Sequence, residues 1–356
     1  MKRAKKILSL VLSAVLLFSV LPMAGFAEET LSVKMLSYNV AGLPSFDKLL
    51  GRGGTDVPHN QTEIGRQVNL LDCDLIAVQE DFGYHAYLAR ELTNTPYRTA
   101  HTGGVPGGDG MNVFSKTPVY NVKRTAWEQS YGVINDGADQ LTPKGILYTL
   151  VDLGNGIFVD LYDIHADAYD GEGSIAARND NFRQLAELIK ARGNARPVIV
   201  TGDFNISSHH STGKELTRYL IRESGLKDAW TELYNGGDYE DYTEYFKQYG
   251  YTQAGYWGIW DSVEKFLYRD GGGVHVEPTD FAYIRFEADG ASLSDHSAVS
   301  AVFTFTKTDG FSENTEALRV PSCDPLGSFL NSFRVTLSDL FLIFHHLDEL
   351  FAFIKG

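Results

Sequence analysis

Cysteine is nearly absent from this 356-residue chain, which has only Cys73 and Cys323. Two thiols without histidines at ligand spacing exclude a zinc ribbon or finger. A chain of this length builds its core without cross-links, so we expect two unreactive thiols rather than a bridge. Basic residues are also scarce: 31 Lys and Arg stand against 46 Asp and Glu, a formal charge of −15. Proteins that hold long nucleic acid carry a basic stripe, because phosphate neutralisation dominates their affinity. The overall field here opposes a polyanion and leaves it only a local basic groove. No internal repeat is visible, so no repeat architecture is expected.

Some of the few cations crowd at the start. Lys2, Arg3, Lys5 and Lys6 precede an apolar run over 7–23 that ends in Gly25-Phe26-Ala27 before Glu28. A cationic segment, an apolar segment and a small-residue cleavage site form an export signal, with cleavage after Ala27. The run is about long enough to span a membrane, but Pro22 and the Ala27-Glu28 junction favour removal. Losing those four cations and no acid takes the charge to −19. The expected product is a secreted chain of about 330 residues, one large α/β domain with an appendage.

Strand and helix patterns alternate through the body. Strands are expected over 31–40, 75–79, 111–115, 146–152, 156–164, 197–201 and 298–305, and amphipathic helices over 63–71, 84–92 and 175–192. Runs at 264–268 and 274–277 around Asp270-Gly271-Gly272-Gly273 read as a hairpin. Strands interleaved with helices suggest a layered two-sheet α/β (α+β) sandwich covered by helices. Three segments divide the rest: a body over 31–307, a polar linker over 308–325 and an amphipathic helical tail over 326–354. The tail places Leu337, Leu340, Phe341, Phe344, Leu347, Phe351 and Ile354 mostly at helical spacing. A stretch over 235–260 is dense in Tyr and Trp.

Five strand ends carry polar side chains: Ser37-Tyr38-Asn39, Gln79-Glu80-Asp81, Ile164-His165-Ala166-Asp167, Gly202-Asp203-Phe204-Asn205 and Ser294-Asp295-His296. Singly each has a plain explanation. A lone Asn or Asp–Asn pair caps turns, a lone Glu is a solvated surface group, and most isolated histidines are packing residues. Repetition is what points to a hard-metal phosphoester site. Alternation puts Asp203 and Asn205 on one strand face. Glu80 suits Mg²⁺, which takes one or two carboxylates and keeps several waters. His296 has the chemistry to take a proton from attacking water, given an acid to fix its tautomer. Glu264 and Asp280 compete for that place.

The ordered set resembles the endonuclease/exonuclease/phosphatase superfamily, with its deoxyribonuclease I-like fold, over about 33–306. It is most similar to secreted members related to bacterial neutral sphingomyelinases. The resemblance implies a four-layer α/β-sandwich of two mixed sheets and a Mg²⁺-dependent phosphodiester hydrolase, with Mn²⁺ or Ca²⁺ as substitutes. It implies Asn39, Glu80 and Asp295 at the metal, and His165, Asp203, Asn205 and His296 in catalysis. One departure is Val263-Glu264-Lys265-Phe266, where the family usually carries Asp. Asp280 lies fifteen positions before Asp295, tight for a strand out and back, which favours Glu264 as the partner of His296.

The expected chemistry is in-line attack by water activated at His296, with the developing charge met by the cation, His165 and Asn205. No Ser, Cys or His is paired as a nucleophile, so no phosphoenzyme is expected. Export, acidity and the Tyr/Trp stretch favour a lipid head group as substrate, with membrane contact through that stretch or the tail. A deoxyribonuclease, a monoester phosphatase and a catalytically silent binding protein are the alternatives.

Overall fold

The computed structural model describes residues 29–44, 54–105, 108–132, 139, 142–206, 211–240 and 263–319. The expected leader, most of the Tyr/Trp-rich stretch, Cys323 and the tail lie outside these residues.

Two six-stranded mixed sheets face each other. The first runs in the order β11 (Val274–Ile284), β14 (Ala298–Lys307), β1 (Thr30–Asn39), β2 (Leu75–Gln79), β4 (Asn112–Ser115), β3 (Tyr97–Arg98). The second runs β5 (Val119–Ala126), β6 (Gly145–Gly154), β7 (Ile157–His165), β8 (Val198–Asp203), β10 (Glu264–Arg269), β9 (Lys227–Asp228). A short pair, β12 (Glu287–Ala288) and β13 (Ala291–Ser292), stands apart. Met35, Ala77, Leu161, Ile199, Phe266 and Phe303 belong to the core between the sheets. Helices α1 (Val57–Leu70) and α2 (His85–Ala89) cover the first sheet, and α3 (Glu172–Arg192) and α4 (Ser211–Ser224) the second. Helix α5 (Ala229–Tyr234) contributes Trp230 to the inter-sheet core. These are the four layers of an α/β-sandwich.

Local chemistry explains the elements. Asp56 caps α1 by accepting from the His59 amide, and Pro58 sits in its first turn, where no N–H is required. β2 (LIAVQ) is buried at every position because a helix covers one face and the opposing sheet the other. In α3, Phe182, Leu185, Ala186 and Ile189 form the stripe against the second sheet. Cys73 is buried and free, and burial pushes its thiol up to about 11, so it is unreactive at neutral pH.

The expected hairpin over 264–277 is not one. β10 pairs with β8 and β9 in the second sheet, whereas β11 pairs with β14 in the first. The glycine run between them carries the chain across the sandwich. A Cβ on Gly273 (φ +70°) would lie 2.1 Å from the Gly310 backbone, so the crossing point admits no side chain.

The start of the linker is not free either. Glu316 Oε2 accepts from both Arg192 and Arg196 at 2.7 Å, Asn121 donates to its Oε1 at 2.9 Å, and Phe311 packs on the core. Both arginines also hold Asp160, which hydrogen-bonds near the beginning of β8. The chain up to Arg319 is therefore a strap on the pole where β8 begins, opposite the ends of β7 and β8. Truncation after Lys307 is expected to lower Tm by roughly 4–8 °C, from about 2 kcal/mol of lost packing and pairing. Truncation after Arg319 leaves the strap in place, and thermal melts of the two forms compare them directly.

Candidate active site

The strand register assembles the site. β7 ends at His165, which pairs with Asp203 at the end of β8, and Asp203 pairs with Glu264 at the start of β10. In the first sheet, Asn39 ends β1 opposite Gln79 of β2, and Asp295 and His296 lead into β14 beside β1. Two rows of polar side chains thus face each other at one pole. Gly202 (φ +130°) makes the second row tight: a Cβ there would meet the Ile164 carbonyl oxygen at 2.0 Å.

Asn39 is the bridge between the rows. Its Nδ2 lies 3.0 Å from Glu80 Oε1, 3.0 Å from Asp203 Oδ2 and 3.4 Å from His296 Nε2. Its Oδ1 accepts from the Ala41 amide at 3.1 Å. His296 Nδ1 faces Glu264 Oε1 at 2.5 Å, which assigns the Nδ1 proton and turns Nε2 to the mouth, 3.9 Å from Asp203 Oδ2. His165 Nε2 stands 3.4 Å from the same Asp203 oxygen. Ser294 Oγ donates to the Asn39 carbonyl and accepts from the His296 amide, locking the His296 loop to β1. Glu80, half-buried, has φ +56° and Asn205 φ +50°. Left-handed backbone at two non-glycine site residues is stored strain of the kind found where geometry serves chemistry.

The two histidines are held in opposite states. Burial pushes the His165 imidazole well below its ordinary range, and the Lys144 and His296 charges add to that, so it is neutral. Burial also opposes charge on His296, but Glu264, then Asp203 and Asp295, outweigh it and hold the ring well above its ordinary range. Burial raises the Asp203 carboxyl to about 6, against the pull of His296.

Asn39, Glu80, His165, Asp203, Glu264 and His296 all meet here. Asp295 is at the mouth, its side chain 80% exposed and 4.0 Å from His296 Nε2. Asn205 reaches the site differently from the strand alternation: β8 ends at Asp203, and a left-handed turn brings Asn205 round, its amide donating to the Ala166 carbonyl at 3.0 Å. Asp280 sits at a bulge of β11 opposite Val302, in the other sheet from Glu264, with Oδ1 on the Phe281 amide. Glu264→Gln is expected to lower kcat about 10–100-fold. Because Glu264 holds the His296 pKa up, the acid limb of the pH–rate profile should move to lower pH. Asp280→Asn should change neither, and the reverse pattern would hand the role to Asp280.

Asp139 and Lys144 also stand beside the site, without a mark in the sequence. Lys144 is buried and pairs with Asp139 at 2.5 Å, and Asp139 accepts from the Ala168 amide just past His165. Neither residue ends an apolar strand, the signal that marked the others. A second cluster, Asp81, His85 and His101, brings three donor atoms within 4.8 Å of one another. His85 Nδ1 is only 2.5 Å from Asp81 Oδ2, too close for two ligands of one ion. His101 Nε2 is on the Asp81 carbonyl oxygen, and the two rings are stacked. It is a hydrogen-bonded brace behind Glu80.

A family model described as "Endonuclease/Exonuclease/phosphatase family" matches residues 36–296. The chain belongs to that family. A sphingomyelinase of Mycobacterium tuberculosis is 29% identical over 283 residues, 76% of this chain and 52% of the relative, so the chain spans about half the length of that curated protein. The fold matches a mutant of beta toxin from Staphylococcus aureus with bound magnesium ions (TM-score 0.52, 16% identity, 76% of this chain and 99% of that one). It also matches D. rerio TDP2 complexed with single-strand DNA product (TM-score 0.54, 16% identity, 76% and 98%).

Proposed function

We propose that this protein is a secreted, magnesium-dependent phosphodiesterase that releases the head group of a sphingomyelin-like lipid. The observation that carries the hydrolase reading is His296 held between Glu264 and Asp203, with Glu80 one amide away. The donors fit a hard cation: Glu80 and the exposed Asp295 offer carboxylate oxygens, and Mg²⁺ takes one or two carboxylates and keeps several waters. Bound there, magnesium supplies neutralisation of a non-bridging phosphoryl oxygen.

The chain's own residues do the rest. His296 Nε2 takes a proton from the attacking water, and Glu264 stabilises the imidazolium that results. Neutral His165 and the Asn205 amide donate to the phosphoryl oxygens. Asp203 orients the water or delivers a proton to the leaving oxygen. Asn39 holds the Glu80 and Asp203 carboxylates apart. Turnover requires deprotonated His296, so activity rises with pH along a limb displaced to the alkaline side.

The lipid part rests on the curated relative, on the acidic charge and on the rim of the mouth. Among the described residues, four of the seven exposed large hydrophobic side chains are Leu43, Val105, Tyr131 and Tyr169. They lie on the loops after β1, between β3 and β4, after β5 and after β7, all at the catalytic pole. Tyr169 is 60% exposed at φ +67°, a costly backbone for a bulky residue that packs on little. Apolar side chains around a phosphodiester site suit a lipid surface better than a polyanion. The Tyr/Trp stretch rejoins the described chain at Val263, next to Glu264, whereas Arg319 leaves from the opposite pole. Tyr239 is tied to Glu232 and the Asp228 amide and so forms no open cage.

The deciding experiment assays the purified protein side by side on sphingomyelin, phosphatidylcholine, DNA and a phosphate monoester, with and without Mg²⁺. Preference for DNA or the monoester overturns the lipid reading, and no turnover on any of them overturns the enzyme. Leu43→Ser with Tyr169→Ser should reduce hydrolysis of vesicle sphingomyelin at least about tenfold, while a short-chain soluble analogue is cleaved as before.

A further inference from the structure

Directly beneath the site, one polar bond crosses between the sheets. Gln79, the last residue of β2 in the first sheet, donates from Nε2 to Asp163 Oδ1 on β7 in the second at 2.6 Å. Both side chains are fully buried. Gln79 Nε2 also points at Ser37 Oγ at 3.4 Å. Gln79 Oε1 and Asp163 Oδ2 are buried, and neither has a hydrogen-bond partner among the described residues. A carboxylate here would leave two buried acceptors without a donor, which costs the desolvation of each. One proton on Asp163 Oδ2, donated to Gln79 Oε1, would satisfy both and close an eight-membered ring with the Gln79 carboxamide.

We propose that Asp163 is a neutral carboxylic acid and that its paired hydrogen bonds with Gln79 fix the spacing between the two halves of the catalytic site. Gln79 precedes Glu80, and Asp163 lies two residues before His165, so the pair spans the gap that Asn39 bridges above it. The surroundings favour the neutral form. Burial is the first cause, Asp109 and Asp203 oppose a further negative charge, and Arg124 is held by both oxygens of Asp109, with Gln79 the opposing donor. Together they push the Asp163 carboxyl well above its ordinary range. Gln79 and Asp163 are positioning residues for the hydrolase site proposed above.

Infrared difference spectra of wild type minus Asp163→Asn at pH 8 test the proton without any substrate. A protonated-carboxyl C=O band present in wild type and lost in the variant is the expected result. A carboxylate served by buried water gives no such band and overturns the proposal. Linkage gives an independent reading: the raised folded pKa means stability complete at acid pH and lost as pH rises towards that pKa. Asn at 163 does not titrate, so its Tm relative to wild type should rise by several degrees between pH 5 and pH 8. In turnover, Asp163→Asn preserves a donor and an acceptor and should keep kcat within about threefold, whereas Asp163→Leu should lose at least about tenfold in kcat at unchanged KM. A fully active Asp163→Leu, or an Asp163→Asn as impaired as a folded Asp163→Leu, overturns the positioning role. Should wild type cleave no phosphodiester at all, the functional reading fails while the spectra still decide the protonation.

Discussion

Replacing His296 with alanine is expected to lower kcat by about two to four decades with KM changed little, the loss of a general base that acts only on the water. At the mouth, Glu264, Asp203 and Asp295 raise the basicity of His296 against the effect of burial, whereas burial and Lys144 keep His165 neutral and of low basicity. The variant also carries a stability cost. Glu264 is buried, and removing the ring deprives its carboxylate of the Nδ1 hydrogen bond and of the charge beside it. The sign of the pH dependence follows from the raised folded pKa of His296. Its stabilising contribution is full below the unfolded pKa of about 6.5 and is lost as pH rises through the folded value. The Tm deficit of His296→Ala should therefore be largest at and below neutral pH and shrink on the alkaline side. An unchanged kcat would move the base elsewhere.

Chelation of divalent ions should abolish turnover, and added magnesium should restore it. Glu80→Ala should raise the magnesium concentration for half-maximal activity by about tenfold or more, since the remaining carboxylate at the mouth, Asp295, is largely solvated. Stability separates the site's geometry from its chemistry. Glu80 occupies left-handed backbone at φ +56°, a strain of about 1–2 kcal/mol for a residue with a Cβ. Glu80→Gly should then melt higher than Glu80→Ala, although both need more magnesium for activity. Equal melting points would mean that the turn carries no strain, and full activity in chelator would remove the cation from the mechanism.

The site was legible because each component ends an apolar strand. Runs such as Leu75–Gln79 and Val198–Asp203 mark buried parallel strands by composition alone, and a polar residue at the end of such a run stands out. Elements without that contrast escaped. β5, α4 and α5 have mixed sequences whose burial comes from neighbours distant in the chain. The same holds for Asp139 and Lys144, which reach His165 through a loop between β5 and β6.

The sequence by itself determined the layered α/β class, the strand ends, and the residue types that gather at them, because side-chain periodicity and strand termini are local properties. Only the tertiary structure decided which sheet each strand joined. β10 and β11, neighbours in the chain, part into opposite sheets, and this puts Glu264 on His296 while leaving Asp280 at a bulge in the other sheet. It also decided that Asn39 faces two carboxylates, that Asn205 arrives by a turn, and that the strap through Glu316 closes the far pole. Register and sheet membership depend on contacts far apart in sequence, and they set distances, burial and charge on each group. Those quantities make one histidine a base and the other a neutral donor, although the sequence writes both simply as histidine.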